Sequence, residues 1–123
     1  MLTDTTFWVD LLQERRRRVV GPAGRFLARH RAHELRVSII VWGELAPGFD
    51  TSAELETVLH GVRMLPLPRH VAWEASRIVR EMASAQLGEN DTWIAATARA
   101  WGLRLVSRDG AFDRVPHLHR VPY

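Results

Sequence analysis

Cysteine is absent from all 123 residues. That excludes disulfides, thiolate metal ligation and a cysteine nucleophile, and leaves the redox compartment open. Lysine is absent too, so all 17 basic residues are arginine. A P-loop enzyme is excluded with it, because its Gly-rich motif ends in lysine. No apolar run approaches the roughly 20 residues needed to span a bilayer. The first residues lack the basic and apolar regions of a signal peptide. The expected location is the cytoplasm, with no membrane contact.

What is present describes one folded domain, residues 1–123. The hydrophobic fraction is 46%, enough for a real core. The net charge is +3, from 17 basic and 14 acidic residues, which suits a polyanionic partner without requiring one. Met1–Thr5 reads as a short buried strand, followed by a helix with Thr5 or Thr6 as its N-cap. A second helix is expected over Pro22–Arg31, with Pro22 in its first turn. Leu35–Ser38 reads as a strand running into a helix that carries Glu44, and Thr51 or Ser52 caps a further helix ending near His60. Val62–Pro66 is a strand candidate, and a long helix runs from Pro68 to about Gln86 with Val71, Ala75, Ile78, Val79 and Met82 on one face. Asn90 or Asp91 caps a helix ending at Trp101, with Gly102 as its stop. Leu103–Ser107 is the clearest strand, and His117–Val121 adds an edge strand. Alternating strands and helices predict an α/β fold, a three-layer α/β/α sandwich with a mainly parallel central sheet.

In such sheets ligands bind beyond the carboxyl ends of the strands. Four acidic residues lie where they can reach that edge. Asp4 and Asp109 follow strands, Glu44 lies in a helix just after one, and Asp91 begins a helix. Taken singly, Asp4 is a turn residue, Glu44 a solvated helix residue and Asp91 an N-cap. Together they form a group of like charges that needs a counter-ion, and carboxylate oxygens suit Mg²⁺ or Mn²⁺. Asp4 and Asp91 are first choice as direct ligands, with Glu44 and Asp109 binding through water or completing a second ion's shell. Such clustering raises at least one carboxylate pKa in the metal-free chain. Ser107 and Thr92 are polar neighbours that orient ligands or simply cap. Arg108 is a candidate for substrate phosphate, with an ion pair as the alternative, and Asp10 is expected in solvent or on a neighbouring arginine. The pairs His30/His33 and His117/His119 lack a third ligand and read as surface histidines. Arg15–Arg18 reads as a solvated helix end or a contact for phosphates or an acidic partner. The five tryptophans fall on apolar helix faces, as core or dimer contacts.

The segments Leu2-Thr3-Asp4-Thr5-Thr6-Phe7-Trp8-Val9-Asp10-Leu11-Leu12 and Gly43-Glu44-Leu45 resemble the corresponding parts of PIN-domain proteins. Gly88-Glu89-Asn90-Asp91-Thr92-Trp93-Ile94-Ala95-Ala96-Thr97-Ala98, followed by Gly102-Leu103-Arg104-Leu105-Val106-Ser107-Arg108-Asp109, is similar to the C-terminal half of the VapC toxins of bacterial toxin–antitoxin pairs. The resemblance runs through the whole chain in order and length. It implies a Mg²⁺- or Mn²⁺-dependent endoribonuclease toxin acting on RNA such as tRNA or rRNA, a cognate VapB-like antitoxin that inhibits it, and a homodimer. Asp4, Glu44, Asp91 and Asp109 match the acidic positions of the family site. Thr6 falls where the family carries a small polar residue near the metal. Asp113 is a second candidate for the last acidic position.

Rival readings are weaker. A receiver domain would want a late lysine, and a haloacid-dehalogenase-type phosphatase would want an aspartate where Thr6 stands. The alternative from another class is a non-catalytic PIN-like module that binds RNA or protein, against which the presence of all four acids argues.

Overall fold

The computed structural model describes residues 1–123. Five short strands form one sheet: β1 (Leu2–Thr3), β2 (Arg36–Ser38), β3 (Arg63–Leu65), β4 (Leu105–Val106) and β5 (Arg120–Val121). Their order is β3-β2-β1-β4-β5 and every pairing is parallel. Six helices flank the sheet: α1 (Thr5–Arg16), α2 (Pro22–Arg29), α3 (Ile39–Leu45), α4 (Ser52–Val58), α5 (Arg69–Glu81) and α6 (Glu89–Ala100). A parallel sheet needs cover on both faces, and the chain's reversal between β3 and β4 supplies it. Right-handed crossovers place α1–α4, which connect β1 to β3, on the face opposite α5 and α6, which connect β3 to β4. No helix is long and apolar enough to cross a membrane.

The core is one cluster of buried side chains running from Leu2, Phe7 and Phe26 through Val37, Leu65 and Ile78 to Leu105 and Phe112. Phe7 meets Trp8, Phe26 and Tyr123 edge-on, with ring centroids 5.2–5.8 Å apart. Buried hydroxyls are satisfied locally. Thr3 donates to the Arg36 carbonyl at 3.0 Å and accepts from Trp8 Nε1 at 2.8 Å. Of the two roles expected for the tryptophans, core or dimer contact, Trp73 does not take the first: it is 63% exposed on α5, with the Arg80 guanidinium over its ring.

Several boundaries differ from expectation. The N-cap of α1 is Asp4 rather than Thr5 or Thr6, because its carboxylate takes the Phe7 N–H at 3.0 Å. Neither Asn90 nor Asp91 caps α6: that helix begins at Glu89, so Asp91 stands inside its first turn. The long helix stops at Glu81, where Met82 closes the last turn onto the Ile78 carbonyl and Ala85 folds back on Met82. Strands are shorter than their apolar runs, since each keeps only the residues that find a ladder partner. Gly61 and Gly102 stop α4 and α6 with positive φ (77° and 61°), the left-handed turn that favours glycine.

Candidate active site

The chain leaves β1 for β2 on one side, and β4 pairs on the other. The strand ends therefore splay at β1 and β4, the place where an open α/β sheet offers a crevice. Asp4 ends β1, and Ser107 and Asp109 follow β4. Glu44 reaches the edge from α3 and Asp91 from the first turn of α6.

Asp4 is the buried member, 3% exposed. It receives the Ser107 hydroxyl at 2.5 Å, the Thr6 hydroxyl at 2.8 and 2.9 Å from its two oxygens, and the Phe7 N–H. Burial pushes its pKa up. The donors from Ser107, Phe7 and Thr6 work against that, and the charge of Asp109 adds to it. Ser107 also accepts the Asp109 N–H at 3.0 Å, tying the turn after β4 to the Asp4 carboxylate. Asp109 itself caps the 3₁₀ turn Gly110–Arg114 through Ala111 N–H at 2.8 Å.

Asp91 is half-buried. Its pKa is raised by desolvation first, then by the charges of Asp109, Glu44 and Asp4, with no hydrogen bond to offset them. Asp109, Glu44 and Asp4 thus each lie close enough for their charge to act on Asp91, the neighbour they have in common. Glu44 is exposed and held at both oxygens: the Thr5 hydroxyl donates to one, and Asn90 Nδ2 donates to the other at 2.9 Å.

Asp113 is drawn elsewhere. Arg120 grips it through two bonds of 2.7 and 2.8 Å, and that pairing lowers its pKa. Arg108 forms the ion pair that was its alternative reading, with Asp10 at 2.8 Å. Thr92 bonds the Gly88 carbonyl and so acts within its own helix. His30 stacks on Phe26 at 4.0 Å between ring centroids and joins no ligand set.

The donor chemistry fits a hard divalent cation: oxygen donors only, two of them with pKa values raised by burial first and by neighbouring negative charge second. The arrangement is open, and no three acidic or histidine side chains form a ready-made cage. That suits an ion which retains several waters and takes few carboxylates, as Mg²⁺ does. The sequence reading missed Asn90 and Tyr123. Asn90 reads as a cap candidate beside Asp91, and nothing local links it to Glu44. Tyr123, the single tyrosine, places its hydroxyl 2.8 Å from Asp10 and 3.3 Å from Thr6. Burial pushes its pKa well above the usual phenol range, so it stays protonated.

A family model described as PIN domain matches residues 1–118. Among solved structures, VapBC2 from Rickettsia felis bound to a DNA fragment from its promoter is 19% identical, with TM-score 0.81 over 98% of this chain and 96% of that one. VapBC-1 from nontypeable Haemophilus influenzae is 20% identical, with TM-score 0.80 and the same coverage. A toxin–antitoxin complex from Klebsiella pneumoniae is 23% identical, with TM-score 0.72 over 95% and 93%. No curated protein matches the sequence.

Proposed function

Because the chain belongs to the PIN-domain family, we propose that it is a Mg²⁺- or Mn²⁺-dependent endoribonuclease, the toxin of a toxin–antitoxin pair acting in the cytoplasm. The observation that carries this is the meeting of Asp4, Glu44, Asp91 and Asp109 beyond β1 and β4, with Asp91 feeling the charge of the other three. Fold likeness to toxin–antitoxin complexes supports the biological setting. A VapB-like antitoxin is the partner that reading brings with it, and a second copy of the chain completes a homodimer.

A divalent cation supplies, when bound, a lowered pKa for the attacking water and neutralising charge for the phosphodiester oxygens. This chain's part is to hold its carboxylates in place. Asp4 and Asp91 are the direct ligands in this reading. Asp4 is oriented by Ser107 and the Phe7 N–H of α1. Glu44 and Asp109 contribute through water or to a second ion, with Thr5 and Asn90 fixing Glu44. Asp113 has no part while Arg120 holds it. Arg108 stands at the rim, and an RNA phosphate competes there with Asp10 for its guanidinium.

The test is cleavage of total cellular RNA, tRNA and rRNA included, by the antitoxin-free chain in Mn²⁺, Mg²⁺ or EDTA, beside Asp91→Asn. Metal-dependent cuts that fall by at least about 100-fold in the variant are expected, since the half-buried ligand is lost. A folded wild type that binds Mn²⁺ and leaves every RNA intact would instead support the non-catalytic binding module.

A further inference from the structure

Thr6 has one hydroxyl proton, and in this structure it is shared between both oxygens of Asp4, at 2.8 and 2.9 Å. Ser107 spends its own proton on one of the same oxygens. A carboxylate engaged in this way has less lone-pair density to offer a cation. Thr6 has a second acceptor within reach, the phenolic oxygen of Tyr123 at 3.3 Å. That phenol also has one proton and two neighbours. The Asp10 carboxylate at 2.8 Å is the closer and stronger acceptor, so the tyrosine proton points to Asp10 and the phenolic lone pairs face Thr6. Asp10 is in turn fixed from the other side by Arg108 at 2.8 Å. The ring is wedged edge-on against Phe7 and Phe26, so its hydroxyl has little freedom to drift.

We propose that Tyr123 is a positioning residue for the metal site: its phenolic oxygen accepts the Thr6 proton when a cation claims the Asp4 oxygens. The hydrogen bonds then run from Thr6 to Tyr123 and from Tyr123 to Asp10, which Arg108 meets from the other side, and the Asp4 oxygens are freed of the Thr6 proton. No bond is made or broken; one hydroxyl hydrogen turns from a carboxylate to a phenol. The inference rests on the reading of Asp4 as a metal ligand.

The test is the affinity for Mn²⁺ alone, read from the EPR signal of the free ion, for wild type, Tyr123→Phe, Thr6→Val and the double variant. Phenylalanine keeps the packing on Phe7 and Phe26, and near-UV circular dichroism checks that it does. Tyr123→Phe is expected to weaken Mn²⁺ binding by about tenfold, as loss of an outer-shell partner does. The same substitution is expected to change nothing in the Thr6→Val background, where there is no proton to relocate. A purely structural tyrosine would give the same loss in both backgrounds, and that result overturns the inference, as does wild-type affinity in Tyr123→Phe. A wild type that binds no Mn²⁺ overturns the metal-site reading itself and this inference with it.

Discussion

A carboxylate that is 3% exposed must be neutralised or surrounded by donors, and Asp4 is surrounded: Ser107, Thr6 and the Phe7 N–H all point at it. Ser107→Ala removes the shortest of these and also orphans the Asp109 N–H. The expected cost is about 1–3 kcal/mol, the range for stranding a buried polar partner. Urea denaturation in EDTA measures it, and an unchanged midpoint would mean that water replaces the hydroxyl without loss. The same scale explains why the sequence left Asp109 and Asp113 as rivals for one position. Both lie just past β4, and local pattern treats them alike. Arg120, brought alongside from β5, separates them by taking Asp113 in a two-point grip. Such a contact depends on which strand borders which, and that is not written in the spacing of residues along the chain.

At the scale of elements, two polar arrangements hold helices together. Glu14, near the end of α1, donates nothing but accepts the Ala23 and Gly24 N–H groups at 2.9 and 2.8 Å, capping the first turn of α2 from a distance. Gly21 leaves room for this, since a Cβ there would stand 2.3 Å from the Glu14 carboxylate oxygen and push that side chain aside. Gly21→Ala is expected to displace Glu14 and cost about 1–2 kcal/mol, as loss of a helix cap does. Glu14→Ala/Gly21→Ala is expected to be no less stable than Glu14→Ala alone, because the glycine's only duty has gone; additive losses in urea would refute that. Arg99 joins α6 to α5 with its side chain 4% exposed, meeting Glu74 and Glu81 at 2.6 Å each. Truncation to alanine leaves two carboxylates facing each other, and because Glu81 reaches solvent the expected cost by chemical denaturation is about 1–3 kcal/mol. A loss below about 1 kcal/mol would put the pair with ordinary surface bridges. Apolar periodicity made α5 legible in the sequence through Val71, Ala75 and Ile78, but helix ends were less so. Asp4 and Asp91 are each polar residues beside an apolar run, and only the first is a cap. The difference lies in the backbone, which turns helical at Thr5 in one case and already at Glu89 in the other.

Over the whole molecule, charge is unevenly shared. Setting the four site carboxylates aside leaves ten acidic residues against 17 arginines, so an acidic edge is carried on a basic body. Strand–helix alternation made the parallel sheet readable, and a parallel sheet puts the four acids within reach of one edge. The strand order was not readable, because strands of two or three residues carry no pairing information of their own. The acidic edge has a consequence for stability as a function of pH. Asp4 and Asp91 have raised pKa values, from burial and mutual repulsion. At pH values between their unfolded and folded pKa, the metal-free folded state holds protons that the unfolded chain has released. Unfolding therefore releases protons, and their contribution to stability falls as pH rises from about 4, the unfolded carboxyl range, through their folded pKa values. Asp113, Glu34 and Glu81 have lowered values and act in the opposite sense, stabilising above that range and ceasing to do so on acidification. A raw stability curve mixes the two groups, so the informative quantity is a difference. In EDTA, Asp91→Asn minus wild type is expected to be smallest near pH 4 and to grow in favour of the variant toward neutrality, by about 2–4 °C in Tm. Mn²⁺ at about 100 times its Kd stabilises a binding wild type by about 2.7 kcal/mol, and the difference then changes sign in favour of the wild type. A difference that ignores pH in EDTA would show that Asp91 does not feel its neighbours. One that ignores Mn²⁺ would show that their repulsion is not what a metal relieves.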